Sequence, residues 1–153
     1  MKPTTPVQVQ VAHRFAASAE RVFDAWLDPT RIGRWLFATP TGLMVRVEID
    51  ARVGGTWVVT ERRDGEDVEH TGEYLEIDRP RRLVFTLRAP KYGQDTDRVT
   101  VEIRALDSGC ELTLTHELAA AAAPYAKRTE DGWADVLAGL AKTLGEPESD
   151  SMT

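Results

Sequence analysis

One cysteine in 153 residues, Cys110, excludes an intramolecular disulfide, so packing and hydrogen bonding must hold this chain together. Long apolar runs are equally scarce. Charges interrupt the hydrophobic stretches every few residues, far short of the roughly 20 that a membrane-spanning helix needs, and no membrane span is expected. There is no excess of positive charge: 19 basic residues stand against 25 acidic ones, for a formal charge of -6. A phosphate backbone or an anionic membrane surface is repelled on average, which argues against nucleic acid as a partner. Nothing in residues 1–30 joins a basic start to an apolar stretch as a secretory leader does, and with the lone thiol this points to the cytoplasm.

Metal and nucleotide signatures are missing too. The three histidines, His13, His70 and His116, are joined by no short spacing motif, whereas a metal needs ligands converging to about 2.0–2.2 Å. No metal and no cofactor are expected. Gly54-Gly55 is followed by no helix and so suits a bend better than a phosphate cradle. Arg79, Arg81 and Arg82 around Pro80 read as a wet turn, and Cys110, with no histidine nearby in sequence, lacks support as a nucleophile.

What is present is an ordinary globular balance, 42% hydrophobic and 29% charged, which predicts a folded chain rather than a disordered one. Its length suits one domain, expected over residues 7–144, with flexible tails at 1–6 and 145–153. Val7, Val9, Val11, His13 and Phe15 alternate as in a half-buried strand. Ser18 then stands where an N-cap belongs, and Val22, Phe23, Trp26 and Leu27 recur at helical spacing until Asp28-Pro29. Thr30 is placed to cap a second short helix carrying Ile32, Trp35 and Leu36, closed by Pro40 and Gly42.

From Leu43 the period returns to two, with Val45, Val47 and Ile49 on one face; Trp57 and Val59 continue on the next strand. Asp64-Gly65 predicts a tight hairpin. His70, Gly72 and Tyr74 share a register in the run from Asp67 to Ile77, and Leu83, Phe85 and Leu87 come after a turn at 78–80. After a loop over 89–96, Val99, Val101 and Ile103 alternate up to a second hairpin at Asp107-Ser108-Gly109, and Leu112, Leu114 and His116 return. Residues 119–128, with Pro124, read as a linker. A helix is predicted over Thr129–Leu144, with Trp133, Val136, Leu137, Leu140 and Leu144 on its apolar stripe.

This order gives an α+β helix-grip fold. A curved antiparallel sheet of about seven strands wraps a long C-terminal helix, with two short helices after the first strand and a gap left near one end.

The segments Ala17–Trp26, Arg52–Trp57, Gly72–Ile77, Arg81–Phe85 and Gly132-Trp133 resemble, in order and over nearly the whole chain, the SRPBCC or START-like superfamily. Within it the likeness is to the domain family named after the activator of the heat-shock-protein-ninety ATPase. That resemblance implies the helix-grip fold and, across the superfamily, lipid binding, polyketide cyclisation or chaperone activation. The co-chaperone it resembles engages its chaperone through a further domain, for which 153 residues leave no space, so a chaperone partner is not expected.

The candidate site rests on parity. Trp57, His70, Tyr74, Phe85 and His116 come from successive strands on the apolar register, while Trp35 and Trp133 come from helices able to roof them. These seven are expected to border a cavity, open at one end, for a small apolar or amphipathic molecule. Glu61 shares parity with Trp57 and Val59 and reaches either the cavity or its rim. A bulge in the strand from Asp67 to Ile77 would turn His70 or Tyr74 outward. Binding without chemistry is the leading reading. Two alternatives stand beside it: a cyclase or hydro-lyase moving a proton on a polyketide-like substrate through a pocket His or Tyr, and a chaperone-associated interaction module. A homodimer is compatible with all three.

Overall fold

In the computed structural model, which describes residues 7–36, 41–90 and 96–145, the first period-two segment forms β1 (Val7–Phe15). Val9 and Phe15 are buried, while Gln8, Gln10 and Arg14 of the opposite parity are exposed. Ser18 caps α1 (Ala19–Ala25), its hydroxyl accepting from the Arg21 N–H at 3.2 Å. Thr30 does not cap the next segment, contrary to expectation. Asp28 Oδ1 instead accepts from both the Thr30 N–H at 2.9 Å and the Thr30 hydroxyl at 2.7 Å, an Asx turn that uses Thr30 as donor. The second short helix is only a 3₁₀ turn, Ile32–Arg34, without a side-chain cap.

Six strands complete the sheet: β2 (Leu43–Ile49), β3 (Thr56–Arg63), β4 (Glu66–Asp78), β5 (Arg82–Leu87), β6 (Asp97–Leu106) and β7 (Gly109–Leu118). All neighbours are antiparallel, in the order β1-β7-β6-β5-β4-β3-β2. Asp64 and Gly65 take positive φ of 50° and 82°, the primed hairpin turn that Asp-Gly predicts. The inner face of the central strands is dry: Val99, Val101, Leu112 and Leu114 are wholly buried.

Two bulges adjust the parity. One lies between Met44 and Arg46, so Met44, Val47 and Ile49 pack against the core and Val45, expected on the inner face, is exposed. The other lies between Tyr74 and Glu76, beyond both His70 and Tyr74. Those two therefore keep the register read from the sequence, Leu75 turns out, and Ile77 opposes Leu83.

The last helix begins earlier than its apolar pattern suggests. Residues 120–125 form a 3₁₀ helix that runs directly into α2 (Ala126–Thr143), so most of the expected linker is helical. Pro124 sits inside the 3₁₀ segment and ahead of the first α-helical turn, so its missing N–H removes no bond of α2. Trp133, Leu137, Leu140 and Leu144 are buried as expected. Gly145 ends the helix with φ of 77°, while the expected tail at 1–6, residues 146–153 of the expected tail at 145–153, Pro40, and residues 91–95 of the 89–96 loop lie outside the described residues.

The cover over the sheet is shared. α2 packs along β1 and against the Ile32–Arg34 turn, while α1 lies over β6 and β7. The fold is thus α+β and helix-grip-like, a seven-stranded antiparallel sheet with its long C-terminal helix packed on it.

Candidate functional site

Beneath α1 and the 3₁₀ turn the packing is incomplete. Trp26, Ile32 and Leu36 from the helical side face Trp57, Tyr74, Leu83 and Phe85 from three adjacent strands around a void of about 10 Å³, at the margin of what one water molecule needs. Trp57 and Phe85 meet edge to face with centroids 5.7 Å apart, and Trp26 stands 6.0 Å from Phe85. Trp57 is steered there by Gly72. Its indole crosses β4 over that residue and donates to the Thr86 carbonyl of β5 at 3.2 Å, where a Cβ on Gly72 would come within 2.6 Å of the indole nitrogen. The space that Gly72 leaves is filled by Trp57.

Of the seven residues singled out by parity, Trp57, Tyr74 and Phe85 border this void. Trp35 lies one ring away, its centroid 4.7 Å from that of Trp26 at 82°. His116 and Trp133 face each other. The Trp133 N–H donates to His116 Nδ1 at 2.9 Å, and His116 Nε2 lies 2.8 Å from Asp97 Oδ2. An indole N–H is only a donor, so Nδ1 must be bare and the proton must sit on Nε2, donated to Asp97. Both ring nitrogens are occupied.

His70 lies further along β4, opposite Val59, and is a diagonal neighbour of Glu61. Glu61 is buried at 2% exposure and accepts from the Arg63 guanidinium, which is itself partly covered. Burial, reinforced by the Arg63 charge and opposed by Glu61, depresses the His70 pKa from 6.5 to about 4, so the ring is neutral at physiological pH. Burial, with help from Asp50, pushes the Tyr74 phenol well above its ordinary range, so it stays protonated and able to donate. The inner face therefore grades from an aromatic end at Trp57, Tyr74 and Phe85 to a polar end at His70, Glu61 and Arg63.

Trp26, Ile32, Leu36 and Leu83 join the wall without being among the seven residues that parity selects. Trp26 carries a helical-face signal in the sequence, which predicts burial and leaves the identity of its neighbours open. It also brings an anomaly: the indole N–H groups of Trp26 and Trp35 are buried and make no hydrogen bond.

The remaining candidates lie apart from the void. His13 stacks at a tilt on Phe15, 4.6 Å between centroids. Cys110 is completely buried opposite Phe15 and Ala105, sealed from any substrate. Arg79 pairs with both carboxylate oxygens of Asp24, Arg81 with Asp78, and Arg82 with Glu76 and Glu102. The outer face carries an open hollow of about 410 Å³ floored by β1 and β4–β7, but its charges bind one another, as in Arg98–Glu117 at 2.7 Å. Among the described residues no three His, Cys, Asp or Glu side chains converge as metal ligands, and no helix is long and apolar enough to cross a membrane.

Comparison with known proteins agrees with this architecture. The sequence profile of the family described as Activator of Hsp90 ATPase homolog 1-like protein matches residues 16–145. A crystal structure of a protein from Chromobacterium violaceum is 28% identical with a TM-score of 0.79, covering 92% of this chain and 98% of that one. An AHSA1-like protein from Aeromonas hydrophila is 20% identical with a TM-score of 0.78, covering 96% and 100%. A protein of unknown function from Staphylococcus aureus has a TM-score of 0.82 at 15% identity, covering 93% and 95%. The curated proteins compared yield no significant match.

Proposed function

The chain belongs to the Activator of Hsp90 ATPase homolog 1-like protein family, and from that premise we propose that it binds a small hydrophobic or amphipathic molecule between the sheet and its helical cover, in the cytoplasm. The observation that carries this reading is the void itself. Three aromatic walls from successive strands meet helical residues that leave a gap, whereas the inner face of β6 and β7 is completely buried at Val99, Val101, Leu112 and Leu114. A ligand pocket occupies roughly 300–1,000 Å³, so binding requires the helical wall to retreat. The segment that must move is the weakest part of that wall, a three-residue 3₁₀ turn with no side-chain cap. The grade from aromatic to polar along β3 and β4 suits an amphipathic ligand, with its apolar body on Trp57 and Phe85 and its polar end toward His70.

A second reading has one observation behind it. Neutral His70 beside the buried carboxyl group of Glu61 is an arrangement that moves protons, and Tyr74 adds a phenol, as a cyclase or hydro-lyase would need. His116 is excluded from that role because both of its ring nitrogens are bonded.

Native mass spectrometry after gentle purification tests the binding reading. A retained small molecule, lost in Phe85→Ala, supports it. Failure of both retention and apolar-probe binding overturns it, and so does capture of a chaperone that is insensitive to changes in the cavity.

A further inference from the structure

Two indole donors on the inner side of the helical cover have no acceptor among the described residues. Trp26 and Trp35 are 2% and 3% exposed, and neither indole N–H has an acceptor. Leaving a buried donor unpaired costs free energy that a native interior usually avoids, so each such group asks for an explanation. The ring pair does not supply one. A T-shaped contact presents the edge of one ring to the face of the other, so within the pair at most one N–H finds even that weak acceptor. By contrast, the other two tryptophans are conventionally bonded, Trp57 to Thr86 and Trp133 to His116. The orphan indole donors are therefore the two rings on the helical wall, and Trp26 borders the void; the other buried polar group without a partner among the described residues, the Thr60 hydroxyl on β3, does not line it.

We infer that the buried end of the ligand carries a neutral carbonyl oxygen, as in an apolar ketone, ester or quinone, and that the Trp26 N–H, seconded by Trp35, is the donor that selects it. This rests on the binding reading and deepens it. A neutral acceptor is favoured over a carboxylate because the lining is aromatic and aliphatic and its donors, the Trp26 indole and the Tyr74 phenol, with Trp35 one ring away, are uncharged. An anion there would be stripped of water with no cation to pair it. A hydrocarbon fills the space but leaves the donors as they are. A carbonyl compound fills it and satisfies one of them.

The test uses a matched pair of probes, benzophenone and diphenylmethane, which differ by one carbonyl oxygen. Calorimetric titration of the full chain should show benzophenone binding about tenfold more tightly, the worth of one buried hydrogen bond. Trp26→Phe should bring the two probes to equal affinity without abolishing diphenylmethane binding. Because that variant can fail to fold, the wild-type indole ¹H–¹⁵N spectrum gives a second reading. The chain has four tryptophans, and benzophenone should move the Trp26 resonance downfield while diphenylmethane does not. Equal affinities with no such shift overturn the inference and leave the binding reading standing. If neither probe binds, the binding reading itself has failed. Tighter binding of 2-benzylbenzoate than of benzophenone overturns the neutral-carbonyl assignment in favour of an anion site.

Discussion

Trp133 of α2 donates its indole N–H to Nδ1 of His116 on β7, 2.9 Å away in the core, and so pins the last helix to the sheet through one polar contact. The other ring nitrogen is held by Asp97 at the start of β6. A histidine on the apolar register of a strand invites a catalytic assignment. Here the ring is saturated, and its part is to join three elements.

Trp133→Phe keeps most of the apolar volume and leaves Nδ1 buried without a donor. The expected loss is about 1–3 kcal/mol, read from chemical denaturation. In the wild-type protein the imidazole ¹⁵N shifts should identify Nε2 as the protonated nitrogen. A proton on Nδ1 would contradict the hydrogen-bond geometry.

Two glycine-to-alanine changes should act in opposite directions. A Cβ on Gly72 falls 1.7 Å from the Thr86 carbonyl oxygen and displaces Trp57, so Gly72→Ala should cost several kcal/mol or prevent folding. A Cβ on Gly132, inside α2, meets nothing within 4 Å. Gly132→Ala should raise stability by about 0.5–1 kcal/mol through helix propensity alone. Melting temperatures that move in the same direction would contradict the placement of one of the two.

Most of the sheet is legible in the sequence because a half-buried strand writes its period there, and the Asp-Gly hairpin writes its φ angles. Bulges leave no such trace. Alternation points Val45 inward, yet it is exposed, because one extra residue at Met44/Arg46 reverses the parity, whereas the same event after Tyr74 spares His70. The start of α2 is hidden by Pro124, a residue that breaks a helix in its interior but not ahead of it. The site is less legible than the fold. Parity yields Trp57, Tyr74 and Phe85, each a property of one strand. The Trp133–His116 bond and the place of Trp26 against the void depend on how helices sit over the sheet, and only tertiary packing sets that.

Leu140 is completely buried on the sheet side of α2. Leu140→Asp places an unpaired carboxylate among apolar side chains and should cost more than about 3 kcal/mol, enough to unfold a protein of ordinary stability. Circular dichroism checks this. Native signal with an unchanged melting temperature would overturn the packing of α2.

Acid should destabilise the protein through His70. Its folded-state pKa is about 4 against 6.5 unfolded, with burial as the main cause, Arg63 adding to it and Glu61 opposing it. Between those values the unfolded chain binds a proton that the folded protein refuses, so stability rises with pH across this window. The contribution of neutral His70 is fully present above pH 6.5, is lost progressively as pH falls toward about 4, and changes no further below that. Its full size is at most about 3 kcal/mol, and partial exposure of the ring reduces it. His70→Gln keeps a polar side chain of similar size and cannot titrate. Urea denaturation at a series of pH values should show the wild-type curve falling more steeply than the variant between pH 6.5 and 4, and the two running parallel above about 7. The comparison isolates His70, because the carboxylates held low by their partners, such as Asp24 beside Arg79, are present in both proteins and their contributions cancel. Parallel curves throughout would mean that the ring is hydrated in solution, and would remove the neutral buried histidine from any account of the polar end of the site.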